Sequence, residues 1–236
     1  MVAAQTAMEL RLTLRRGESL LLTLAIPLGL LAFFGTVDVA GATVAFLVPG
    51  IVALAVMSTA MTGLAIATGF ERQYGVLKRL GASPLPRSGL LLAKTLSVLA
   101  VEALQVVLVV GLGLVLGWRA GPVGPAVLLG VVFVALGTAA FAGLGLLMAG
   151  RLRGEATLAA ANGLYLVLLL VSGVVVPLAK LPGPLAAVAR ALPGGALAEG
   201  LRTAFGHEGR VARPALVLVV WAVAALGAAA RTFRWE

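Results

Sequence analysis

Gly69-Phe70-Glu71-Arg72-Gln73-Tyr74-Gly75-Val76-Leu77-Lys78-Arg79-Leu80-Gly81-Ala82-Ser83-Pro84-Leu85-Pro86-Arg87-Ser88 is a dense polar island between two apolar runs, residues 43–68 and 90–116. Each run is long enough to cross a bilayer as a helix, which takes roughly 17–25 apolar residues. On a helical wheel, Phe70, Tyr74, Leu77 and Leu80 share one side of residues 71–80, while Glu71, Arg72, Lys78 and Arg79 share the other. Gly81 supplies a stop, and Pro84 and Pro86 prevent the helix from resuming. The pattern predicts a short amphipathic helix held against a membrane by two spans, a place from which force on a soluble surface can enter the bilayer. An ordinary basic loop would carry the same charges, so the order of the residues has to decide between the two.

Composition agrees with a lipid environment. Of 236 residues, 61% are hydrophobic and 11% charged, with a mean hydropathy of +1.10. Soluble domains sit near half apolar and a quarter charged. With no cysteine, disulfides, thiolate metal sites and cysteine nucleophiles are excluded. The net charge of +9 does not indicate nucleic-acid binding, because the basic residues cluster at the ends of apolar runs, where they orient a membrane protein and meet anionic headgroups.

Six spans are expected, over about residues 20–36, 43–68, 90–116, 123–149, 156–176 and 214–230. Pro27 and Pro49 fall inside spans and should kink or break them locally. The first span has the basic lead-in of a signal peptide, but no small-residue cleavage site precedes a soluble domain, so it reads as a retained helix. Arg11, Arg15 and Arg16 precede span one; Arg72, Lys78, Arg79 and Arg87 follow span two, with Lys94 just inside span three; Arg151 and Arg153 follow span four; and Arg231 and Arg234 follow span six. The loops on the other side hold Asp38 and Arg119 alone. Both termini are therefore expected on the cytoplasmic side. Residues 177–213 break the bias with Lys180, Arg190, Arg202, Arg210 and Arg213; their half-apolar content suggests a segment lying partly in the interface. There Leu181-Pro182-Gly183-Pro184 predicts a turn, residues 185–192 a short helix, Pro193-Gly194-Gly195 a break and residues 196–205 a second helix, together an outer cap or re-entrant hairpin. The expected fold is an all-α membrane protein, one transmembrane domain over residues 1–236, with a cytoplasmic lead-in helix at 1–18, a cytoplasmic segment at 69–88 and an extracytoplasmic helical loop at 177–213.

The run Glu71-Arg72-Gln73-Tyr74-Gly75-Val76-Leu77-Lys78-Arg79-Leu80-Gly81-Ala82-Ser83-Pro84-Leu85 resembles the Glu-Arg-x-x-Gly-Thr-Leu-(Lys/Arg)-Arg-Leu-x-x-(Ser/Thr)-Pro-Leu segment of ABC-2 type permeases, the membrane subunits of bacterial ATP-binding-cassette exporters. Val76 stands where Thr is common. Leu170-Val171-Ser172-Gly173-Val174-Val175-Val176-Pro177-Leu178, followed by Leu181-Pro182, is similar to the family's Leu-x-Ser-Gly-x-x-x-Pro-Leu…Leu-Pro run. The resemblance extends to span count, loop order and length. It implies that the helix between spans two and three is a coupling helix docking on a cytoplasmic ATPase, with Glu71, Arg72, Lys78 and Arg79 toward the partner and Tyr74, Leu77 and Leu80 toward the bundle, around Gly75. It also implies two permease copies, or one copy with a similar subunit, lining an export path in the bacterial inner membrane. ATP and Mg would be used by the separate ATPase, with no cofactor bound by this chain.

No catalytic constellation is present. Ser88-Gly89-Leu90-Leu91-Leu92-Ala93-Lys94-Thr95 lacks the glycines of a phosphate-binding loop and opens a span. His207, the single histidine, sits beside Glu208 and cannot alone build a metal site. Inside the bilayer, Glu102 on span three is costly and a candidate for the substrate path, with Gln105 and, on span five, Asn162 and Tyr165; these groups equally suit a role as glue between helices. Gly113 and Gly117, like Gly145 and Ala149, have the small-xxx-small spacing of close helix contacts. An ion-gradient-driven transporter or channel is the rival class, but it calls for several intramembrane ionisable groups or inverted repeats. The orientation is testable because the chain has no cysteine. Asp38→Cys should react with an impermeant thiol reagent on intact cells, and Ser83→Cys only once the inner face is opened; external labelling of Ser83→Cys overturns the topology.

Overall fold

The computed structural model describes residues 1–15, 17–37, 43–81, 86–174 and 177–233, and every regular element among them is helical. The expected loop at Asp38 and the Ser83-Pro84 turn lie outside the described residues. In a bilayer core, backbone groups have no water to bond, so long apolar runs close their hydrogen bonds within the segment. The lead-in forms α1 (Val2–Arg15), which packs on α2 (Gly17–Thr36) and on the third apolar run. The second run is one continuous helix, Val44–Gln73. It comprises α3 (Val44–Val56), a seven-residue π-helical segment (Met57–Gly63) and α4 (Leu64–Gln73). Then come α5 (Val76–Gly81), α6 (Arg87–Val115), α7 (Val123–Ala149) and α8 (Gly154–Val171). A 3₁₀ turn (Leu178–Lys180), α9 (Gly183–Ala191), α10 (Pro193–Ala204) and α11 (Ala212–Thr232) complete the chain.

Among the described residues, five helices are long and apolar enough to cross a membrane: Val44–Gln73, Arg87–Val115, Val123–Ala149, Gly154–Val171 and Ala212–Thr232. Where the first of the six spans is expected there is also a helix, α2, but its described apolar stretch is the shorter Thr23–Thr36. Pro27 and Pro49 sit inside α2 and α3, and the helix runs through both. The irregularity of span two falls instead at the π-helical segment.

α7 meets span two through a close backbone contact. A Cβ added to Gly145 of α7 would lie 2.7 Å from the carbonyl oxygen of Met61 and 3.2 Å from that of Ala60, both in the π-helical segment. Two residues earlier and on the other side of α7, a Cβ added to Gly143 would meet the backbone of Leu226 in α11 as closely. The small-residue spacing on α7 therefore serves contacts within this chain.

The segment between α8 and α11 differs from its expected form. The break between the two short helices falls at the extended Leu192, and Pro193-Gly194-Gly195 forms the first turn of α10, where proline lacks a donor that would be unpaired anyway. α10 is buried along most of its length against α3, α7 and α11. Its Arg202 donates to the carbonyls of Gly173 (2.8 Å) and Val174 (3.3 Å) beyond the end of α8, and its guanidinium lies 3.8 Å from the centre of the Phe46 ring. Burial lowers the Arg202 pKa to about 10, with Glu199 opposing the shift, so the group is charged at neutral pH.

Two alanine substitutions separate helix propensity from packing. Gly163→Ala, with nothing within 4 Å of the new methyl, should be neutral or stabilising by up to about 1 kcal/mol. Gly145→Ala should destabilise by about 1–3 kcal/mol, because the carbonyl of Met61 must move. The measurement is the fraction eluting as folded protein after graded heating in detergent.

Candidate functional site

The polar island does not form the single helix expected over residues 71–80. α4, which ends span two, carries Phe70, Glu71 and Arg72, and it stops at Gln73. Gly75 adopts φ +72°, the left-handed conformation that closes a helix C-terminus, and its N–H donates to the carbonyl of Arg72 at 3.0 Å. α5 then begins at Val76 as a separate six-residue helix. The change of direction alters which side chains share a face. Leu77 is fully buried and Leu80 packs on the core, whereas Lys78 and Arg79 are exposed. Tyr74 is 70% exposed and stacks on Phe70 at 6.1 Å, so it does not anchor the segment to the bundle. Arg72 is partly buried and donates to the carbonyl of Leu152, in the turn between α7 and α8, at 2.8 Å.

Glu71 also turns inward, toward an ammonium that the sequence reading counts only as a topological charge. Lys94, on α6, is 1% exposed. Its Nζ lies 2.6 Å from Glu71 Oε2 on α4 and 3.0 Å from the carboxylate of Glu9 on α1. Gln5 Nε2 donates to Glu9 Oε1 at 2.9 Å and steadies that carboxylate from within α1. One cation thus holds three helices together. Removing one member of a buried ion pair costs about 3–5 kcal/mol, because the remaining charge is left without compensation. Glu9 carries no signal in its own neighbourhood. The available clue is Lys94, a cation a full seven residues inside α6, which has to find an acid somewhere.

Deeper in the bundle, Glu102 is fully buried on α6 and shares a short hydrogen bond with the hydroxyl of Thr138 on α7. Its Oε1 has no partner among the described residues. Gln105, also buried on α6, donates through Nε2 to the carbonyl of Thr23 on α2 at 2.9 Å and accepts from Thr59 of the π-helical segment at 3.1 Å. Both side chains therefore bridge helices. Asn162 and Tyr165 are elsewhere, on α8. Asn162 is exposed and bonds its own helix at Leu158, and Tyr165 packs at the edge of the core. Among the described residues no hydrogen bond joins either of them to Glu102 or Gln105. His207 Nδ1 lies 3.1 Å from the Arg202 carbonyl. No group of three metal-ligating side chains occurs among the described residues.

The sequence matches the family model described as ABC-2 type transporter over residues 2–205, from the start of α1 to the end of α10. The chain belongs to the ABC-2 type transporter family. No curated protein matches it. ABC-2 membership and five apolar helices make it a multi-pass membrane protein and a membrane component of the ABC-transporter type, a class associated with ABC ATPase subunits. The ABC-2 domain contains all three members of the Glu9–Lys94–Glu71 cluster.

Lys94→Met should leave two carboxylates facing each other and cost about 3–5 kcal/mol. Adding Glu9→Gln and Glu71→Gln should recover most of that loss, since an uncharged set of similar shape is no longer unpaired. Thermal midpoints of the purified single and triple variants measure the difference; a triple variant no more stable than Lys94→Met removes the cluster's structural role.

Proposed function

We propose that this chain is the permease subunit of an ATP-driven exporter, forming the substrate path as a dimer with a second copy or a similar permease. A separate cytoplasmic ATPase supplies the energy and uses ATP and Mg; this chain has no ATPase site of its own. In this reading α2 completes a set of six spans, both termini are cytoplasmic, and the chain resides in a bacterial inner membrane. α5 is the coupling helix, presenting Lys78 and Arg79 to the ATPase while Leu77 holds it against the bundle.

The observation that carries the proposal is the Glu9–Lys94–Glu71 cluster. It joins the lead-in helix, the end of span two and the start of span three beside α5. Closure of the ATPase dimer would push α5. The Tyr74-Gly75 joint passes the displacement to α4, and the shared ammonium makes α4, α6 and α1 move together. Tilting those spans would alternate access to the path, near which Glu102 and Gln105 fix the helix spacing.

Replacing both Lys78 and Arg79 by Glu reverses the charge of the exposed face and leaves Leu77 in place. Membrane levels should stay normal, while ATPase co-purification and vesicle transport fall at least tenfold, the scale of a lost charged contact. Leu77→Asp should instead lower folded yield as well. Intact ATPase binding and transport in the double charge reversal would reduce α5 to an orienting basic loop.

A further inference from the structure

The structure contains a cavity of about 660 Å³ between α1, α2, the π-helical segment, α4 and α6. That is within the range of sites that bury a drug-sized molecule, roughly 300–1,000 Å³. Its walls are of three kinds. At one end are Glu9, Glu71 and Lys94. Beyond them come hydroxyls, among them Ser58, Thr62 and Ser97, and Thr62 Oγ1 is buried without a hydrogen-bond partner among the described residues. Apolar side chains form the remainder, Phe70 and Tyr74 flanking Glu71 and Leu64, Val98 and Val101 lying further along. At 1.5 Å per residue, Lys94 and Val101 stand about 10 Å apart along α6, so the charged and apolar ends are separated by the length of a small amphiphile.

The sign of the charged end follows from burial. The Lys94 side chain is 1% exposed, whereas those of Glu9 and Glu71 keep 11% and 15% of their surface open. The ammonium is enclosed between the two acids, and what the cluster leaves accessible belongs to the side chains of Glu9 and Glu71. Two carboxylates and one ammonium also sum to a single negative charge. An anion brought to this end would meet repulsion and lose its hydration, whereas a monovalent cation would gain charge-assisted hydrogen bonds or direct attraction in a site of low polarity. The geometry points to a binding site for amphiphiles that carry one positive charge on an apolar body, seated with the charge toward Glu9 and Glu71 and the body toward Val101. That such a molecule is cargo rests on the permease reading; that it binds does not.

The site can be probed on the purified full chain in nanodiscs of zwitterionic lipid, with empty discs subtracted. Rhodamine 6G serves as a lipophilic cation, Nile red as a neutral dye and fluorescein as an anion. Rhodamine 6G should bind saturably, at least about tenfold more tightly than Nile red, with no saturable binding of fluorescein. Gly63 lines the cavity, and a Cβ there meets nothing nearer than the Ser58 carbonyl oxygen at 3.7 Å. Gly63→Phe should therefore occupy the space, weaken rhodamine 6G at least about tenfold and leave the elution profile native. The Glu9→Gln/Glu71→Gln/Lys94→Met variant, with the charge removed, should bind rhodamine 6G and Nile red alike. Equal affinities of cation and anion for the unmodified chain, or undiminished rhodamine 6G binding by natively eluting Gly63→Phe, would overturn the site. Rhodamine 6G binding that obeys these rules in a chain that captures no ABC ATPase would overturn the permease reading and leave the site standing.

Discussion

An ammonium enclosed at 1% exposure cannot be left to itself, and that requirement organises the end of the bundle where the polar island lies. Lys94 enters α6 at a depth its own helix cannot neutralise. Glu9 must come from α1 and Glu71 from α4, which fixes the lead-in helix and the end of span two at once. The hydrophobic effect offers little specificity here, because lipid tails are as apolar as leucine and helices associate through close packing and polar contacts. The same logic recurs at two other places in the bundle. Gln105 ties α6 to α2 and to the π-helical segment, and Arg202 ties α10 to the end of α8 and the start of α3. Between these polar clamps, glycines on α7 let backbones touch.

Much of the architecture is visible in the amino-acid pattern because lipid imposes a strict length and polarity on anything that crosses it. The long apolar runs become helices, the island between the second and third stays polar, and two short helices precede the last span. Leu77 is buried as its place on the wheel demands. What escapes the pattern is long-range or conformational. Glu9 and Lys94 are 85 residues apart, and no local periodicity connects them. Gly75 sits inside a stretch whose periodicity favours a helix, yet its left-handed backbone splits that stretch and turns Glu71 and Arg72 away from the face of Lys78 and Arg79, and Tyr74 away from that of Leu77. Pro193-Gly194-Gly195 has the composition of a break, and the helix does break just before it, at Leu192. Proline is nonetheless acceptable at a first helical position, and the glycines suit a helix packed tightly into its surroundings. Of the membrane-embedded polar residues, Glu102 and Gln105 bridge helices, while Asn162 and Tyr165 belong to a different surface. Type and position along the chain do not distinguish these cases; azimuth does.

The cavity and the ion cluster share residues, which brings recognition and mechanics into contact. A molecule resting against Glu9 and Glu71 would compete with Lys94 for the same carboxylates, weakening the bond that ties α1 and α4 to α6. Occupancy of the cavity and rigidity of the helix ends are then linked quantities, and linkage of that kind is reciprocal: whatever loosens the cluster must alter affinity by an equal factor.

The seven π-helical residues of span two set a phase. In an α-helix each residue advances the azimuth by about 100°, so one residue more or less before α4 would swing Glu71 a quarter of a circle or more. The wider winding between Met57 and Gly63 absorbs such a mismatch within an uninterrupted span. Within it Thr59 faces Gln105; downstream of it Glu71 faces Lys94, and both targets stand on one helix, α6. Span two therefore behaves as two shafts joined by a coupling whose angle is written in its residue count. Rewinding those few residues into ordinary α-helix would turn one shaft against the other without unfolding either.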